Sequence, residues 1–168
     1  MRKLLAAGAA FLLAIAGANA SSHVIFRVHL AANANDGEVF AQPVRSLGGR
    51  DFFVEKTPWL SEHDVKSFYP YRAADGSYGA LIQLDDHGRL ILDTLSIERR
   101  GASMFIFVDG RLLTEMQIDR RVSDGKIYLP SGLNAADLKL MTKDWKMTGR
   151  QKSDPHAPAS KRPPLPNE

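Results

Sequence analysis

No cysteine occurs among the 168 residues of this chain, so whatever it folds into must be held by an apolar core alone. Disulfides are excluded, and with them thiol catalysis, redox exchange and thiolate metal sites. The constraint is sharpened because the two ends offer that core little. The stretch from Gly149 to Glu168 has only Ala157, Ala159 and Leu165 as apolar side chains, and five of the nine prolines fall between Pro155 and Pro166. It cannot bury enough surface to offset the entropy of ordering, and residues 148–168 read as a disordered Pro-rich tail. Such a tail serves as a ligand for a groove or as a spacer.

The first twenty residues are set aside for a different reason. Arg2 and Lys3 give a positive start, Leu4 to Ala16 form an apolar run, and Ala18-Asn19-Ala20 puts small residues before Ser21. That order is a secretory signal peptide over residues 1–20. The run is shorter than the ~20 residues that span a bilayer, and no second one follows, so no stable membrane insertion is expected after cleavage. The expectation is an exported protein, periplasmic or extracellular. Arg2 and Lys3 belong to the formal net charge of +3, which leaves about +1 for the remainder, too little to favour nucleic acid or an anionic membrane. The folded part is residues 21–147, one domain's worth of chain.

Within it, Val24, Phe26, Val28 and Leu30 alternate with His23, Ile25, Arg27 and His29, which predicts a strand over Ser22–Leu30. Further strands are expected at Glu38–Val44 and Asp51–Glu55, around Gly48-Gly49. Ser61 and Asp64 form an acidic capping box, with Leu60 and Val65 as its hydrophobic staple, and predict a short helix over Ser61–Phe68. Ser77–Leu84 is a strand. Asp86–Arg100 is the main helix, with Leu90, Ile91 and Leu95 on one face and Gly101 as its stop. Met104–Val108 and Leu112–Ile118 flank Asp109-Gly110, the dipeptide that a two-residue hairpin turn prefers. Lys126–Leu129 is a last strand, and Asn134 with Asp137 caps a helix running to Trp145. The order of elements predicts an α+β fold: a mostly antiparallel sheet with two to three helices packed on one face, a ferredoxin-like two-layer sandwich.

The run Asp86–Leu140 resembles the head of the first periplasmic domain of SecD, a subunit of the bacterial protein-export machinery. The matching features are Gly88 and Thr94 on the helix, the strand Met104–Val108 ending in Asp109-Gly110, the strand Leu112–Ile118, then Gly125-Lys126-Ile127-Tyr128-Leu129 and Asn134-Ala135-Ala136. Upstream, Phe53–Pro58 followed by Leu60–Val65 is similar to the family's strand, proline, cap and helix. Two departures stand out: SecD carries transmembrane helices, and its second hairpin strand usually has a small residue and a proline where this chain has Thr114-Glu115-Met116. The resemblance implies a fold and a polypeptide-contacting role, without a membrane motor.

Candidate chemistry is sparse. His23 and His29 lie on one strand face but roughly 20 Å apart, and read as surface residues near the strand's ends. Glu62-His63-Asp64 and Asp85-Asp86-His87 are acid-rich helix starts, which capping and the helix dipole explain. No nucleophile elbow, Ser-x-x-Lys signature or phosphate-binding loop is present, and no cofactor or metal site is expected. The chain therefore reads as a protein- or extended-peptide-binding module and not as an enzyme. Trp59, Phe68, Tyr69 and Tyr71 are its candidate contact residues, together with an exposed sheet edge. Burial at the end of the core is nonetheless the first expectation for Trp59, Phe68 and Tyr69, since isolated aromatic side chains bury readily. Two other function classes remain: a small metal-dependent or hydrolytic enzyme using His63 or His87, and a structural subunit of an envelope complex.

Overall fold

The computed structural model of this chain describes residues 23–149. The signal peptide read at 1–20 and all but the first two residues of the tail read at 148–168 lie outside them. In chain order the elements are β1 (Phe26–Leu30), β2 (Ala41–Arg45), β3 (Asp51–Glu55), β4 (Leu60–Ser61), β5 (Val65–Arg72), β6 (Tyr78–Leu84), α1 (Asp86–Glu98), β7 (Ser103–Val108), β8 (Arg111–Gln117), β9 (Lys126–Leu133), α2 (Ala135–Asp144) and β10 (Lys146–Met147). The class is α+β and the pairing mostly antiparallel, as expected. The strands divide between two four-stranded sheets, β4-β1-β7-β8 and β10-β5-β6-β9, with β2-β3 as a separate ribbon. Only β10 pairs in parallel, with β5, among the described residues.

The alternation in β1 decides which side is inside. Phe26, Val28 and Leu30 are buried against Met104, Ile106 and Val108 of β7. They share one cluster with Phe68, Ala80, Ile82, Ile127, Leu129 and Leu133 of the second sheet. Leu92 and Leu95 of α1 and Met141 of α2 join it. Trp145, just past α2, packs edge-on to Phe26 at 6.0 Å and to Phe68 at 6.2 Å, touching both sheets at once. The opposite face of β1 is covered by the ribbon. His29 is buried there, its Nδ1 2.7 Å from the Glu55 carbonyl and its ring edge-on to Phe107. It is therefore not the surface residue expected from its place near the strand's end. Burial, opposed by the hydrogen bond to the Glu55 carbonyl, holds its pKa below the ordinary imidazole value.

The hairpin around Asp109-Gly110 forms as expected, with φ of 48° and 75° at the two turn residues. Asp109 also clamps the N-terminal strand, because its Oδ1 accepts from the Ile25 N–H at 2.9 Å. Two expectations fail for physical reasons. The Ser61–Asp64 capping box is made, but it closes only a 3₁₀ turn over Glu62–Asp64, and Val65 onward is strand. Val65, Phe68, Tyr69 and Tyr71 favour strand, Pro70 cannot continue a helix, and β6 offers a complete pairing partner. On α1 the buried side is Gly88, Leu92, Leu95 and Ser96, while Leu90 is 61% exposed. The helix is turned so that Gly88 faces Asp64, where a Cβ would come within 2.9 Å of the Asp64 Cβ.

Replacing Phe26 by Ala is expected to cost about 3–5 kcal/mol, read as a lower urea midpoint at unchanged slope. Ile25→Ala, on the other face of the same segment, should change stability by about 0.5 kcal/mol or less. Equal losses would mean that the alternation does not set the inside of the sheet.

Candidate functional site

The four aromatic residues read as a contact surface are not all at the surface. Phe68 is fully buried in the shared core, which removes it from any surface. Trp59 precedes β4 at the edge of the first sheet; its Nε1 donates to Glu55 Oε2 at 2.5 Å and Arg99 lies over its ring. Tyr69 and Tyr71 belong to β5 and project from the outer face of the second sheet, opposite Phe68. Tyr71 lies across Gly79, where any Cβ would run into its ring, and this lets it stack on Tyr128 with centroids 5.6 Å apart and planes within 9°. Its hydroxyl donates to the Leu129 carbonyl at 2.5 Å. Tyr128 was not singled out from sequence; its register opposite Leu81, itself opposite Tyr69, is what places it in this row.

The acid–histidine groups do meet in part. Asp64, Asp85 and His87 present ligand atoms that all lie within 4.8 Å of one another, while His63 stands apart beside Glu62 at 3.6 Å. The carboxylates are already engaged in holding backbone. Asp64 Oδ2 accepts from the Ser61 N–H at 2.8 Å, Asp64 Oδ1 is 2.7 Å from His87 Nδ1, and Asp85 Oδ1 caps the Gly88 N–H at 2.8 Å. Burial alone would raise the Asp64 carboxyl. The hydrogen bonds from Ser61 and His87 outweigh it and hold the group below the usual carboxylate range. The cluster thus ties the 3₁₀ turn to the start of α1.

A large concavity lies elsewhere, between the two sheets. β8 is the last strand of one sheet and β9 the last of the other, so among the described residues each has an unpaired edge. At one end the edges are drawn together: Arg111 reaches the Gly132 carbonyl at 3.3 Å and the buried Asp137 carboxylate at 2.5 Å, and Leu113 lies against Gly132. At the other end they part around a cleft of about 660 Å³. Leu92, Met104, Met116, Ile118 and Ile127 give it apolar walls, and residues 119–124 a polar rim. That rim is fastened to α1: Arg121 binds Asp93 through two nitrogens at 2.6 and 2.8 Å, and the Val122 N–H donates to the buried Ser96 hydroxyl at 2.9 Å. The Arg121 hydrogen bonds hold the Asp93 carboxyl below its ordinary value. Sequence reasoning anticipated a free edge but not which one, because edges are set by the pairing order of distant strands.

Solved structures with a similar fold include two of SecDF. One is of SecDF, described as a membrane component that enhances protein export, with a TM-score of 0.51 and 13% identity over 74% of this chain and 64% of that one. The other is of SecDF in its super-membrane-facing form, with a TM-score of 0.51 and 11% identity over 73% of this chain and 19% of that one. At such identities the likeness is one of fold, and in both cases this chain spans less than two-thirds of the other. No family model matches the chain, and no curated protein matches its sequence. Among the described residues no helix is long and apolar enough to cross a membrane.

The Asp64 contribution to stability is expected to be complete above the unfolded carboxylate pKa of about 3.9 and to be lost as pH falls through the lower folded value. Asp64→Asn should therefore lower stability at pH 7 and flatten the acid limb of a pH–stability curve measured by denaturant unfolding. An unchanged acid limb would remove the carboxylate from that role.

Proposed function

We propose that this protein is an exported, polypeptide-contacting module: a SecD-like periplasmic fold used without a membrane motor, which holds an extended segment of another protein in the cleft between β8 and β9. The observation that carries this reading is the pair of strand edges, unpaired among the described residues, on either side of one apolar-walled cleft. An extended segment entering there would find backbone donors and acceptors along an edge and apolar walls for alternate side chains. This is how strand addition combines affinity with tolerance of sequence. The fastened rim would limit the ordering cost on binding, because residues 119–124 are already held to α1. The likeness to SecDF supports the reading only in that a similar fold occurs in a component that enhances protein export. Export of this chain rests on the sequence of residues 1–20.

A permanently unfolded, carboxymethylated polypeptide with a fluorescent label should bind the protein, read by anisotropy. Met116→Arg, which sets a charge on the apolar wall, should weaken that binding by about tenfold or more. Leu90→Arg, on the exposed side of α1, should not. Folding of each variant is checked by circular dichroism. Failure of the unmodified protein to bind the probe, or equal binding by Met116→Arg, would overturn the cleft as the contact site.

A further inference from the structure

The outer face of the second sheet carries a row of side chains that stands clear of the core. Tyr69, Leu81 and Tyr128 stand opposite one another across β5, β6 and β9, and Tyr71 braces Tyr128 by stacking on it. Tyr69 is 46% and Tyr128 54% exposed. Their backbones are two strand spacings apart, about 10 Å, with the shorter Leu81 between the two rings.

The chain itself leaves the described residues on this face. Thr148 is held on β5 by a backbone hydrogen bond to the Phe68 carbonyl at 2.8 Å. Gly149, at a φ of 84°, then lies so close to the Tyr69 ring that a Cβ there would collide with it. From that point the sequence continues through Pro155-His156-Ala157-Pro158 and Pro163-Pro164-Leu165-Pro166, two Pro-x-x-Pro units. Such units form a polyproline II helix whose ridges fit between exposed aromatic rings. Pro155 is the sixth residue after Gly149. At about 3.1 Å per residue the intervening chain is ample to carry either unit across the row.

We propose that the Pro-rich segment 155–166 of this chain docks on the Tyr69–Leu81–Tyr128 face of its own molecule. Tethering makes weak contacts sufficient, since a short linker supplies an effective concentration on the order of mM. Proline loses little freedom on docking, so each ring–proline contact is opposed by little ordering entropy. The inference does not rest on the cleft reading, which concerns the strand edges, although the two sites adjoin. Leu81 and Tyr128 both line the cleft as well, and Tyr69 does not, so the decisive variant is Tyr69.

The absence of cysteine makes the test direct. A nitroxide label is placed on Ser160→Cys in the full chain, and its relaxation effect is read on backbone amides by NMR. Docking predicts loss of the signals of Tyr69, Leu81 and Tyr128 while those of Leu90 and Ile97 on α1 persist. Tyr69→Ala, or alanine at Pro155, Pro158, Pro163 and Pro166 together, should restore the lost signals, and Tyr69→Phe should not. Uniform broadening over the surface, or broadening centred elsewhere, overturns the proposal. So does broadening that appears only between a labelled chain and a second, isotope-labelled one, which would assign the face to another copy's tail.

Discussion

The indole of Trp145 meets Phe26 of one sheet and Phe68 of the other edge-on, at 6.0 and 6.2 Å. Each such pair contributes about 0.5–1.5 kcal/mol beyond the area it buries, but its position matters more than its magnitude. Neither four-stranded sheet can cover its own inner face, and a lone sheet with one apolar side is not stable in water. The two faces cover each other, and the helices supply only Leu92, Leu95 and Met141 as fully enclosed fill. With no disulfide to share the task, this common layer is what the strand edges, the cleft and the tyrosine row are all mounted on.

Two sheets sharing one layer need not stay parallel to the end of their strands, and the cleft is where they part. Arg111, Asp137 and Gly132 hold the edges of β8 and β9 near each other at one end. At the other end the eight residues from Ile118 to Gly125 must bridge them, and α1 steadies that bridge through Asp93 and Ser96. These polar contacts thus sit where elements that do not pair must be kept in register. The Asp64–His87 contact and the Asp85 cap do the same between the 3₁₀ turn and α1.

Local grammar was legible in the sequence, and its long-range use was not. Asp109-Gly110 gave the hairpin, and Asn134 with Asp137 gave the cap of α2, because both depend on residues a few positions apart. Ser61 and Asp64 made their box as well, yet the segment after it became β5, since pairing with β6 outweighs a local helix start. Gly88 reads as a weak helix residue until Asp64 is seen against it, and Gly79 reads as an ordinary strand glycine until Tyr71 lies over it. Phe68 and Tyr69 are neighbours in sequence with opposite fates, because successive strand residues point to opposite faces. The SecD-like order of elements was visible. The free edges and the tyrosine row were not, because both arise from which strands end up adjacent.

The place of Trp145 also bears on when the fold can close. Its ring is the last large piece of the core to be made, well over a hundred residues after Val24. A chain emerging from its N-terminus holds two incomplete apolar faces until that residue arrives, and long-range strand pairing is slow in any case. Closure of the core therefore waits on synthesis through Trp145: a product cut short before it would leave Phe26 and Phe68 uncovered, in a form open to proteases and to unfolded-protein quality control.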